Sequence, residues 1–144
     1  MAYLDGLRRA HFPPDRNIVP AHVTLFHALP GAGIAAIRDR LAMECAACAP
    51  SAVQIGPPRS LGRGVALAVS APEVAVLRAR LAEAWRGWLT PQDAQGWRPH
   101  ATVQNKVAGE VARALYAELT ATLPPRAATA EGLRLWHYRG GPWE

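Results

Sequence analysis

One short string is written twice. Pro20-Ala21-His22-Val23-Thr24-Leu25, followed by a turn and a helix-like stretch, is echoed by Pro99-His100-Ala101-Thr102-Val103, again with a turn, near Gly109, and a helix-like stretch behind it. The two histidines stand 78 positions apart in a chain of 144 residues. A duplication on that scale restricts the fold to one compact body, or two small lobes sharing a core, because two ordinary domains need more chain than this. In both copies β-branched and apolar residues dominate next to proline, so each copy is predicted to be a strand. Strand periodicity puts His22, Thr24 and Phe26 on one face, and Val23, Leu25 and His27 on the other. In the second copy, His100, Thr102, Gln104 and Lys106 share a face.

The remaining elements follow from punctuation and period. Tyr3 to His11 is predicted to be a helix stopped by Pro13-Pro14, which cannot continue it. The first repeat strand is expected over Ala21 to Leu29. Ile34, Ile37, Leu41, Cys45 and Cys48 recur at helical spacing, which predicts a helix from Ile34 to about Ala47 with both cysteines as small core residues. Ala52 to Ile55 and Val65 to Ser70 are expected to form a hairpin across a Pro, Gly and Arg-rich loop, Gly56 to Gly64. Ser70 and Glu73 have capping-box spacing for a helix carrying Val74, Leu77, Leu81, Trp85 and Trp88. The second repeat strand is expected over Arg98 to Val107. A helix with Val111, Leu115 and Leu119 runs from Gly109 to Pro124-Pro125, and a last strand from Ala128 to Tyr138 leads into Gly140-Gly141-Pro142.

Composition removes several function classes. Half the residues are apolar and 19% are charged, which suits a folded globular chain and not a disordered one. The net charge is +5, and Lys106 is the only lysine among sixteen basic residues. Such a field favours anions such as phosphates. The arginines are scattered, without the run of like charges expected of a nucleic-acid-binding tail. Two cysteines alone do not make a disulfide framework. No stretch has signal-peptide character or eighteen consecutive apolar residues, so a cytoplasmic protein without a membrane partner is expected. No His/Asp/Glu group has metal-ligand spacing and no glycine-rich loop ends in Gly-Lys-Ser/Thr, so neither a metal nor another cofactor is expected.

His22-Val23-Thr24-Leu25 and His100-Ala101-Thr102-Val103 both match the His-x-Thr/Ser-hydrophobic pattern of the two-histidine phosphoesterases, a superfamily with 2′,5′ RNA ligase-like and cyclic phosphodiesterase branches. The flanking strings Pro-Ala-His-Val-Thr-Leu-Phe-His and Pro-His-Ala-Thr-Val-Gln-Asn-Lys resemble the RNA ligase-like branch, and the resemblance spans nearly the whole chain. It implies an α+β fold built as a bilobal pseudo-twofold duplication, two antiparallel sheets flanking a central cleft with helices outside. A single domain over 1–144 is expected, its halves roughly 1–70 and 71–144. The chain begins in or near the first helix and stops at Gly-Gly-Pro-Trp-Glu, where relatives carry further strands. A missing terminal strand would leave a sheet edge open to a weak dimer, the alternative to a monomer.

Opening a cyclic phosphodiester takes a base to deprotonate water and an acid to protonate the departing ribose oxygen. Imidazole titrates near 6.5 in water, so two histidines can share these tasks near neutrality without a metal. His22 and His100 are accordingly the candidate catalytic pair. Thr24 and Thr102, each two residues further on the same face, are placed to donate to the non-bridging oxygens. Lys106, Gln104 and Arg63 are candidate contacts to a phosphate or base, with Arg59 of similar standing. Phe26, Trp97 and Tyr138 offer stacking surfaces, or else core packing. His11, His27 and His137 lack a threonine partner and receive no role. The expected activity is hydrolysis, or reversible formation, of 2′,3′-cyclic phosphate or 2′,5′ bonds in nucleotides or RNA ends. Its rivals are hydrolysis of a non-RNA cyclic phosphate, such as an ADP-ribose cyclic phosphate, and a non-catalytic RNA-end-binding module.

Overall fold

A computed structural model describes residues 2–140 and 143–144. The first helix, α1 (Ala2–His11), makes its last turn with Phe12 N–H bonded to Arg8 C=O at 2.8 Å and ends before the proline pair, as predicted. α2 (Ile34–Ala46), β1 (Ser51–Ser60), β2 (Val65–Ser70), α3 (Pro72–Ala84), β3 (His100–Gln104), α4 (Gly109–Thr122) and β4 (Arg126–Ala130) follow in order. The four strands form one antiparallel sheet in the order β3-β2-β1-β4. The class is α+β, but among the described residues there is one ladder-built sheet, where two were expected.

β1 is longer than its apolar core predicted, and its prolines explain how. β4 pairs only with Ser51 to Ile55, so Pro57 and Pro58 fall beyond that ladder, beside a register irregularity. On the β4 side a missing N–H there costs no ladder bond. The turn into β2 relies on Gly62 at φ 76° and on Gly64, where a Cβ would stand 2.2 Å from the Gln104 carbonyl oxygen. Ser70 does not cap α3, because it is the last residue of β2, paired with Gln54; the helix starts instead on Pro72 at its first turn.

Two clusters hold the chain together. The first joins Val65, Leu67, Val69, Ala101 and Val103 of the sheet to Leu4 of α1 and to Leu115 and Leu119 of α4. The second packs Ile37 of α2 against Leu77, Leu81 and Trp85, with Leu25, Phe26, Leu29, Leu41 and Leu133 around them. Each draws on both halves of the chain. Cys45 and Cys48 belong to neither, Cys45 being half-buried and Cys48 exposed, and Ile34 is exposed as well, so of the predicted stripe of α2 only Ile37 and Leu41 reach the core. Trp88, at 41% exposure, likewise lies beyond the buried face that ends at Trp85. The last predicted strand ends early, at Ala130, and of the turn expected after it Gly141 and Pro142 lie outside the described residues.

Candidate active site

The two repeat segments meet. Val23 forms an isolated antiparallel bridge with Ala101, on the edge of β3 that β2 does not cover. An antiparallel pair has a local two-fold axis, and with Val23 opposite Ala101 that axis exchanges His22 with His100 and Thr24 with Thr102. In this register His22 lies across from Thr102 and Thr24 across from His100. Val23 and Ala101 both pack in the first core cluster, and strand alternation about the bridge assigns His22, Thr24, His100 and Thr102 to the opposite face. Both threonines and His100 are half-buried, and His22 is exposed.

The local bonding repeats the symmetry. His22 Nδ1 lies 2.7 Å from the Pro20 carbonyl oxygen, and His100 Nδ1 lies 2.9 Å from that of Arg98, in each case two residues back. A carbonyl oxygen only accepts, so Nδ1 is the protonated nitrogen in both rings. Nε2 is thereby left free to take a proton, or to give one once charged. The threonine carbonyls are matched as well, since Thr24 C=O accepts from Trp97 Nε1 at 2.9 Å and Thr102 C=O from an Arg8 Nη at 2.8 Å.

The two segments differ in what supports them. β3 is held by its ladder with β2. The strand expected over Ala21 to Leu29 is not formed, because side chains from other elements take up its backbone groups. Asp5 Oδ1 accepts the Ala21 N–H at 2.6 Å, and Arg78 Nε donates to Leu25 C=O at 3.0 Å. Asp93 accepts the N–H groups of His27 and Ala28 at 2.8 and 3.1 Å, besides the His27 ring at 2.8 Å and the Thr90 hydroxyl at 3.1 Å. Burial alone would raise the Asp93 carboxyl, but these bonds, led by those from His27, outweigh it and hold Asp93 below its ordinary value. Sequence spacing carried no signal for this set, since each partner sits far away along the chain.

Arg8 ties the two motifs to α1. Besides Thr102 it donates to Val19 C=O and Asn17 Oδ1, both at 3.1 Å, and only 4% of it is exposed. Burial lowers its pKa, opposed by Asp5, yet a guanidinium keeps its proton in a protein. It makes no ion pair among the described residues, and its charge lies against the backbone of Thr102.

The other predicted contacts divide. A β-bulge on β3 breaks the alternation: Ala66 pairs with Thr102, but the preceding Val65 pairs with Gln104. Gln104 therefore leaves the face of His100 and Thr102 and turns inward, 3% exposed, with Oε1 lacking a partner. Phe26 packs edge-to-face on Trp85 at 5.4 Å, with the Arg78 guanidinium 4.9 Å from its ring, in the second cluster. Arg63 donates from Nε to Val107 C=O at 3.1 Å and fastens the β1–β2 turn to the segment after β3. Lys106 is exposed and stands beyond the bulge at φ 59°. Among the described residues no three His, Cys, Asp or Glu side chains gather as a metal site.

A family model for the 2′-5′ RNA ligase superfamily matches residues 2–142. The chain belongs to that superfamily. That superfamily is the two-histidine phosphoesterase superfamily, and in this chain the two segments carrying His22 and His100 meet at the Val23–Ala101 bridge. No curated protein matches the chain. The superfamily member has no helix among the described residues long and apolar enough to cross a membrane.

Proposed function

We propose that this superfamily member is a metal-independent phosphoesterase acting on a 2′,3′-cyclic phosphate or 2′,5′ linkage of a nucleotide or RNA end, with His22 and His100 as its general acid and base, one taking a proton from the attacking water and the other protonating the departing ribose oxygen. The observation that supports the reading is the matched pair of Nδ1–H···O=C bonds, which leave both Nε2 atoms free, on two segments related by a local two-fold axis. In hydrolysis the neutral imidazole takes a proton from water as the water oxygen bonds to phosphorus. The bond from phosphorus to the departing ribose oxygen breaks, and the charged imidazole gives that oxygen its proton. Two bases on opposite sides of phosphorus suit in-line displacement. The hydroxyls of Thr24 and Thr102 donate to the non-bridging oxygens, whose charge grows in the transition state, and Arg8 adds a fixed positive potential against the Thr102 backbone. Run backwards, the same steps form the bond with the two histidines in exchanged roles. In this reading the duplication works at the level of the motifs, each half of the chain supplying one imidazole and one hydroxyl.

The test is incubation with 2′,3′-cyclic nucleotides, 2′,5′-linked dinucleotides and RNAs ending in a cyclic phosphate, with product analysis. Ring opening or 2′,5′ cleavage by the wild type, lost in His22→Ala and His100→Ala, supports the reading. No turnover of any of these substrates overturns it.

A further inference from the structure

β3 does not run straight out of the sheet. After Gln104 the chain turns, Lys106 adopts a left-handed φ of 59°, and its N–H is bonded to Asn105 Oδ1 at 2.8 Å. A lysine is seldom held in that conformation, and such positions gather where side chains are aimed for binding. Against this turn lies an open depression of about 230 Å³, walled by Phe12, Asp15, Arg16, Ile18, Asn105 and Lys106.

Its walls are of two kinds. Phe12 and Ile18 are apolar, and Ile18 is 62% exposed, with no packing reason to face water. Arg16 and Lys106 are cationic and Asn105 offers an amide. Asp15 is the one carboxylate, 3.6 Å from Arg16 Nε, so the wall keeps a net positive charge. The depression is linked to the second motif through Arg8. The Phe12 ring lies 4.2 Å from the Arg8 guanidinium carbon, and the same guanidinium donates to Thr102 C=O at 2.8 Å. One side chain therefore separates the ring from the Thr102 backbone, two residues from His100.

An apolar floor for a base, cations for a phosphate, and the second motif one side chain away together suit a strand of nucleotides better than a single one. We infer that this depression is a subsite for the nucleotide next to the terminal one, its base resting on Phe12 and Ile18 and its phosphate between Arg16 and Lys106. The inference rests on the phosphoesterase reading and sharpens it: the preferred substrate is an RNA strand, not a free cyclic mononucleotide.

The experiment compares a 2′,3′-cyclic mononucleotide with a short RNA ending in the same cyclic nucleotide, for the wild type, Arg16→Glu, Ile18→Ser and Lys106→Ala. Thermal melts confirm that each variant is folded. The wild type should favour the RNA in kcat/KM by about tenfold, the scale of one stacked base, mainly through KM. Arg16→Glu should bring that ratio close to one, with smaller falls in the other two. Equal use of both substrates by the wild type overturns the subsite, and so does an equal loss on both in Arg16→Glu. A second arm measures fluorescence anisotropy of a 3′-phosphorylated single-stranded RNA on the His22→Ala/His100→Ala protein. Weaker binding and a shallower salt dependence after adding Arg16→Glu support the subsite even if no substrate turns over, which would sink only the phosphoesterase reading. Binding indifferent to Arg16→Glu and Lys106→Ala overturns it.

Discussion

The first His-x-Thr segment and the second carry nearly the same residues and meet at one bridge, yet they are supported in opposite ways. His100 and Thr102 sit in β3, where the ladder to β2 fixes the backbone and Val103 is wholly buried beneath. His22 and Thr24 sit in a segment with a single bridge, restrained by Asp5, Arg78, Asp93 and Trp97 reaching in from α1, α3 and the turn before β3. A ladder is local and repetitive. The bonds around the first segment are individual, and several end on buried or charged groups, so each can be removed alone.

If the proposed acid and base are equivalent, support should not matter to their own removal. His22→Ala and His100→Ala should each lower turnover by about 10² to 10⁴, and the double variant should be little worse than either, as for residues acting as a unit. Steady-state rates on a cyclic-phosphate substrate check this. Near-wild-type activity in one single variant breaks the symmetry and the mechanism with it.

Support should matter to everything else. Asp93→Ala removes the buried carboxylate that accepts from the His27 and Ala28 N–H groups and the Thr90 hydroxyl, and should destabilise the chain by about 1 to 3 kcal/mol in denaturant titration. Amide exchange should rise over residues 21–28 and far less over 100–104. Exchange rising equally in both segments would contradict the difference in support.

Threonine removal returns to the site itself. Thr24→Val and Thr102→Val should each cost about 1 to 3 kcal/mol of transition-state stabilisation, read from kcat/KM, because each removes one hydrogen bond and no proton transfer. An unaltered rate in either would remove that hydroxyl from the phosphate-anchoring role.

Acid separates the two segments more gently. Asp93 is held below the ordinary carboxylate range, and so is Glu44, chiefly by its hydrogen bond from Arg80, with that from Arg40 adding to it against burial. A lowered folded value means that these groups stabilise the chain above the unfolded carboxyl range, about pH 4, and that the contribution drains away as pH falls through the folded values. Since Asp93 grips only the first segment, exchange in 21–28 should rise at a higher pH than in 100–104. Simultaneous loosening would argue that Asp93 is not the restraint.

Most helices were legible because proline, glycine and helical period act within a few residues, as at α1 and α4. The duplicated motif was legible for the same reason, but its faces only near the bridge: Val23 and Ala101 both pack in the first cluster, whereas Leu25 and Phe26, expected on opposite faces, pack together in the second. What the sequence did not disclose depends on distant partners. Ala21 to Leu29 has strand composition, but its hydrogen bonds go to Asp5, Arg78, Asp93 and Trp97. A bulge of one residue moved Gln104 off the predicted face. The helix expected to be capped by Ser70 begins two residues later because β2 uses Ser70 first.

The central claim, a paired imidazole acid and base without a metal, is tested most directly by the pH dependence of cyclic-nucleotide hydrolysis in excess chelator. The account predicts full activity under chelation and a bell-shaped rate centred where imidazole titrates, its two limbs belonging to the pair and not to either ring. Activity abolished by chelator and restored by a divalent ion, or a rate rising steadily through that range, would contradict it.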